Sequence, residues 1–279
     1  MRKVCLIILL CLLMFSFLNI TSGKIIYVDD DGGKEYTTIQ SAIDSAEVGD
    51  TIFVYSGIYY ESLLPMVSIK LVGENTLTTI IDGSKGEWYE KTISVNLNDI
   101  TIKNFTIKNS YGLWIWGNNL TITDNIVENT SIAVEIVDSK DSIIARNIIK
   151  NSSMVGINLE ELTESSVINN TISNSDFGIS IDYYSSNNLI ENNIISLCKI
   201  NGIRLRDSSN DNNVRFNTIK NSNHGIYIYK NCVNNQINNN IFENNVKDTV
   251  RDSEETPGFE LIFILIAVAL VLFWKRRRI

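Results

Sequence analysis

The sequence predicts an all-β chain, a right-handed single-stranded parallel β-helix of three short sheets and ~23-residue rungs, opened by a capping helix. Three observations lead there. An Asn recurs at Asn125, Asn147, Asn170, Asn193, Asn217 and Asn240, in steps of 22, 23, 23, 24 and 23 residues. A second column with the same period holds Gly112, Ala133, Gly156, Gly178, Gly202 and Gly225, each followed by Leu, Ile or Val. The apolar pieces between the columns have only three to five residues, too short for helices and bounded by Asn, Ser and Gly.

Such a unit cannot bury itself alone, but copies stacked on one another can. Three strands per turn give a triangular coil with equivalent residues ~4.8 Å apart. Parallel crossovers strongly favour the right hand. Pro65 is the only proline of the coil, as expected where every strand is central. The recurring Asn is expected at a tight bend, in the left-handed backbone conformation it tolerates, with its amide bonded along the column. Phe105 holds that place one repeat earlier.

Ahead of the regular rungs, Tyr36 to Ala46 reads as an amphipathic helix with Ile39, Ala42, Ile43 and Ala46 on one side. A helix here would plug the open end of the coil and hide its edge. The chain therefore divides into a signal peptide (1–23), a cap with the first rungs (24–104), regular rungs (105–246), a short linker (247–256) and a C-terminal signal (257–279).

The ends set the expected address. Arg2 and Lys3, an apolar run to Leu18, then Thr21, Ser22 and Gly23 make a secretory signal. Leu261 to Trp274 is apolar, reaching ~21 Å as a helix, and Lys275 to Arg278 fix that end in the cytoplasm. The body is then extracellular. Removing Arg2, Lys3, Glu260 and the four terminal cations from 24 basic and 32 acidic residues leaves 18 against 31, net −13. That charge repels nucleic acid and suits cations or neutral sugars. Cys198 and Cys232 occupy different points of the repeat, so no disulfide is expected.

Pro257-Gly258-Phe259, the apolar run and the basic tail resemble the PGF-type sorting signal of archaeal surface proteins. The resemblance implies an archaeal source, an archaeosortase-like protease and a lipid or membrane anchor. The Thr-rich stalk of many members is missing. The stretch from Tyr36 through Gly83 resembles the opening of NosD-like and surface-layer β-helix proteins. The later rungs resemble parallel β-helix repeats of the pectin-lyase superfamily, which implies the fold and leaves the activity open.

In related coils the strand beginning at the Gly column binds polysaccharide. Alternation sends Trp114, Glu135, Asn158, Ser180, Arg204 and Tyr227 outward, then Trp116, Val137, Glu160, Asp182, Arg206 and Tyr229. Asp138, Glu161, Tyr183, Asp207 and Lys230 fall at the adjoining bend. Aromatic residues at both ends with charges between suit a glycan groove of the cell envelope. For catalysis, Glu135 and Glu160 stand at the ~8 Å expected from strand spacings, inside the range of an inverting glycosidase pair. Superfamily lyases use acidic Ca²⁺ ligands and a basic residue, parts that Glu160, Asp182 and Arg206 could take. Against this, Arg206 could simply neutralise its neighbours. No family catalytic motif is matched. No cofactor is required. Ca²⁺ is the one the acids could hold, with Asp29, Asp30 and Asp31 a further candidate set. One histidine (His224), Met66, Met154 and two cysteines, unclustered, make poor cuprous ligands. Sequons stand at Asn104, Asn119, Asn129, Asn151 and Asn169.

Overall fold

A computed structural model describes residues 23–86 and 90–252. Residues 1–22 of the expected signal peptide and all of 257–279, with Pro257, Gly258 and Phe259, lie outside them. Among the described residues no helix is long and apolar enough to cross a membrane.

Among the described residues all the strand pairs are parallel, and they build a coil of about ten turns. Sheet I contains ten strands, from Ile25–Val28 and Thr51–Val54 through Thr121–Thr123 and Ser166–Ile168 to Gln236–Asn238. Its ladder runs unbroken across residue 104, so cap and regular rungs form one stack. Sheet II (Thr106–Lys108, Ile126–Glu128 and Thr218–Lys220 among its strands) and sheet III (Leu113–Trp116 and His224–Ile228 among its strands) were expected to be separate. Instead Ile148–Thr163, Thr171–Asp182 and Ile194–Leu205 each run through the corner as one strand, with a register shift between Ser152 and Val155. The corner pairs Ser152↔Ser175 and Ser175↔Cys198 keep the ladder closed there. The interior is a file of Ile, Leu and Val: Ile122, Ile144, Val167, Ile190 and Val214 are 0% exposed and stack one per turn.

The Asn column lies in a file, but the left-handed residue is the one before it. Positive φ falls on Asp124, Arg146, Asn169, Asn192, Phe216 and Asn239. The following Asn points inward, where its amide replaces ladder bonds that the turn removes. Asn125, Asn147, Asn170, Asn193 and Asn217 are buried, and each accepts at Oδ1 from the backbone N–H of the preceding rung. Phe105 is the fully buried foot of this column. At a second corner Ser142, Ser165, Asn188, Asn212 and Asn235 accept backbone N–H groups in the same way. At a third, Thr130 meets Ser152 and Ser175 meets Cys198 side chain to side chain, and only Ser222 and Asn245 accept backbone N–H groups. Gly178 serves close packing, since a Cβ there would stand 2.5 Å from the Gly202 oxygen.

The cap helix is shorter than expected, Ile39–Asp44, and buries Ile39, Ala42 and Ile43. Its N–H groups at Ile39 and Gln40 donate to the two oxygens of Glu61, both at 2.8 Å. A carboxylate there suits the positive end of the helix. At the other end, the expected linker begins as a strand. Lys247–Arg251 pairs with His224–Ile228 and completes a last rung of sheet III, because its Thr249 and Val250 stay in register with Ile226 and Tyr227.

Candidate functional site

Sheet III places the candidate residues in two outward files. The first reads Ser94, Trp114, Glu135, Asn158, Ser180, Arg204, Tyr227 in direct register. The second reads Asn96, Trp116, Val137, Glu160, Asp182. Arg206 and Tyr229 extend it, their N–H groups donating to Ile181 and Leu205. Asp138, Glu161, Tyr183 and Asp207 sit at positive φ on the bend.

The acidic part of the face is tied together by one amide. Asn158 Nδ2 donates to Glu135 Oε1 and to Glu160 Oε1, each at 3.0 Å. The Glu135 and Glu160 Oε1 atoms are thus no more than two hydrogen bonds apart. Tyr111 Oη donates to Glu135 Oε2 at 2.6 Å. Burial, then the bond to Glu135, pushes the Tyr111 phenol up. Desolvation holds the Glu160 carboxyl above its usual range; Glu135 and Asp182 add to this, against the Asn158 bond. Asn158 Oδ1 is buried and has no partner.

The basic part is an ion network around Asp182. That carboxylate is 0% exposed. Ser180 Oγ donates to it at 2.8 Å and Arg204 Nη2 at 3.1 Å. Arg206 Nε lies 3.0 Å from Asp182 and 3.2 Å from Asp207 without hydrogen-bond geometry to either. The Arg204 guanidinium rests 3.8 Å above the Phe177 ring. Burial lowers the Arg204 pKa against the pull of Asp182. Burial acts likewise on Arg206, but Asp182 prevails and holds it above its usual value. Asp182 therefore cannot touch a substrate; it positions two arginines.

Aromatic pairs close both ends. Trp114 and Trp116 stand 6.3 Å apart, nearly perpendicular, and Tyr227 and Tyr229 4.9 Å apart. Sequence reasoning missed Lys91, whose Nζ lies 5.3 Å from the Trp114 ring, and Tyr111. Tyr111 had a signal. It precedes the Gly column, where later rungs carry Ile132, Val155, Phe177, Asn201 and His224.

Among the described residues, Asp29, Asp30 and Asp31 form the one set of three potential metal ligands within reach of each other. Two of the three carboxylates are already engaged: Asp30 accepts from the N–H of Ile58 on the strand Gly57–Tyr59, and Asp29 from the Asp31 N–H within the turn. Cys198 and Cys232 are free and buried.

The family model described as right handed beta helix region matches residues 91–242, more than half of the chain, and the chain belongs to that family. No curated protein matches it. Among solved structures it is similar to the catalytic domain of a GH87 alpha-1,3-glucanase in complex with nigerose, 16% identical over 81% of this chain and 45% of that one, TM-score 0.62. XylC with xylose is 13% identical over 74% and 63%, TM-score 0.60. The AlgE6 A-module, a mannuronan C-5 epimerase of Azotobacter vinelandii, is 16% identical over 72% and 70%, TM-score 0.53. The chain thus spans under half of the glucanase domain. At such identities the likeness is one of fold.

Proposed function

We propose that this chain is an exported, membrane-tethered surface protein whose sheet III face binds a glycan without cleaving it. One observation carries the binding: two in-register files with tryptophans at one end, tyrosines at the other and fixed charges between. Rings of this kind stack on pyranose faces, while Arg204 and Arg206 meet hydroxyls. The carbohydrate named with three structural neighbours, nigerose, xylose and mannuronan, supports the ligand class. The non-catalytic reading rests on Asp182, sealed beneath two arginines, and on Glu135 and Glu160, both engaged by Asn158. Export and tether rest on the terminal segments of the sequence.

The test is retention of the full chain on immobilised α-glucan, mannan, xylan and polyuronate. Trp114→Ala with Tyr227→Ala is expected to abolish retention, and no retention on any polymer sinks the binding reading. The raised Glu160 carboxyl supports a second reading, a hydrolase or lyase. Release of reducing or unsaturated sugar ends, lost in Glu160→Gln, would establish that one instead. Membrane fractionation of the chain truncated after Thr256 tests the tether, which is wrong if the truncated chain stays with membranes.

A further inference from the structure

Where sheet III turns toward sheet I, beside the tryptophan end of the face, a polar pocket of about 430 Å³ opens. Trp116, 42% exposed, forms one wall, its indole pinned by Nε1 donating to Asp138 Oδ2 at 3.1 Å. Asn98 and Asn118 form another. Asn98 Oδ1 accepts the Asn118 N–H at 2.7 Å, and Asn118 Oδ1 accepts the Lys140 N–H at 2.9 Å. A backbone N–H fixes each amide's orientation, so both Nδ2 groups are left with open donors. The Asn96 side chain, also lining the pocket, bonds to nothing among the described residues. Asp99 spends one oxygen on Asn119 Nδ2, at 2.6 Å, and keeps the other. Gly117 lets the two turns meet: its φ is +143°, and a Cβ would lie 2.3 Å from the Leu97 oxygen.

The lining presents one flat apolar ring, open N–H donors and free carboxylate oxygens, with no lysine, arginine or histidine. The open amide donors call for acceptors, which a bare cation does not supply. Two carboxylates without a facing cation repel uronates and sulfated sugars. The complement of such a pocket is a compact ligand with an apolar face and hydroxyls that both donate and accept. We infer that this pocket binds a single uncharged pyranose, the terminal or branch residue of the glycan whose chain lies on the face. The inference rests on the glycan reading for its ligand class. It adds a second site, of opposite charge preference to the Arg204–Arg206 end.

Saturation-transfer NMR of the full chain in detergent with glucose, galactose, mannose, N-acetylglucosamine and glucuronate tests it. At least one neutral sugar is expected to receive saturation that depends on the pocket, whereas any transfer to glucuronate comes from the Arg204–Arg206 end and should survive Trp116→Ala. Trp116→Ala should weaken that binding by tenfold or more, Asn96→Ala severalfold, and Tyr227→Ala should leave it unchanged. Should Trp116→Ala fail to fold, Asn96→Ala carries the comparison, because its side chain supports no structure. No transfer to any neutral sugar, or transfer unaffected by both pocket variants, overturns the pocket. Polymer retention surviving that result leaves the face intact. Pocket binding without polymer retention overturns the face alone.

Discussion

Asn170 Oδ1 accepts two hydrogen bonds from Asn147, from its backbone N–H at 2.9 Å and its Nδ2 at 3.0 Å. One side chain thus satisfies two buried donors, while its own Nδ2 reaches Ile144 O and Asn193 Oδ1. Asn170→Ala orphans the Asn147 N–H in a dry interior. We expect a loss of about 2–4 kcal/mol, from ~1–3 kcal/mol per unsatisfied group, read as a lowered urea midpoint. Asn240→Ala, on the half-exposed last rung, should cost far less because water reaches the freed groups. Equal losses at both positions would refute the ladder's role.

The corner residues before the ladder carry a conformational cost of their own. Leu197 has φ 57° and is 54% exposed, so its side chain brings little packing to offset a left-handed backbone. Asn tolerates that region where Leu pays for it. Leu197→Asn should therefore stabilise the chain by about 1 kcal/mol. It also places an amide after the exterior file Asn129, Asn151, Asn174, already bonded at 3.2 and 2.8 Å. A thermal melt unchanged or lowered would count against this account.

These corners show what the sequence disclosed and what it hid. The period, the strand files and the foot at Phe105 were legible because identical residues recur at one position. The left-handed site was misplaced by one residue, since Asn on both sides of the bend makes the pattern ambiguous. Arg146, Leu197 and Phe216 in that conformation carry no propensity signal at all. The other two ladders went unread because Ser, Thr, Cys and Asn share them, all able to hydrogen-bond at the corner yet different in letters. On the face, alternation gave the files correctly. It could not give depth: that Asp182 lies beneath Arg204 depends on side-chain reach, which periodicity does not encode.

Asp182 is the face's most consequential charge for stability. Removing it leaves Arg204, whose side chain is 11% exposed, without its partner. Breaking one half of a buried pair costs about 3–5 kcal/mol, so Asp182→Ala should approach that loss. Arg206→Gln removes a partner that is 31% exposed and should cost much less. Asp182→Leu combined with Arg204→Met, two apolar replacements, should recover most of the stability. Denaturant midpoints of the three variants decide it; a double variant no better than Asp182→Ala would show that the network is not an isolated pair.

Glu160 sets the pH response. Burial raises its folded-state pKa above that of the unfolded chain, so the folded protein binds this proton more tightly. Below the unfolded value the group is protonated in both states and contributes no penalty. As pH rises through the folded pKa the carboxylate must form beside Glu135 and Asp182, and stability falls. Glu160→Gln keeps an oxygen for Asn158 Nδ2 and removes the charge. It should be more stable than the parent near pH 7, with the gap closing as pH falls below the unfolded-state value, where the parent's carboxyl is protonated in both states. Urea midpoints measured across that range would refute the assignment if the gap stayed constant, since a constant difference reports packing and not ionisation.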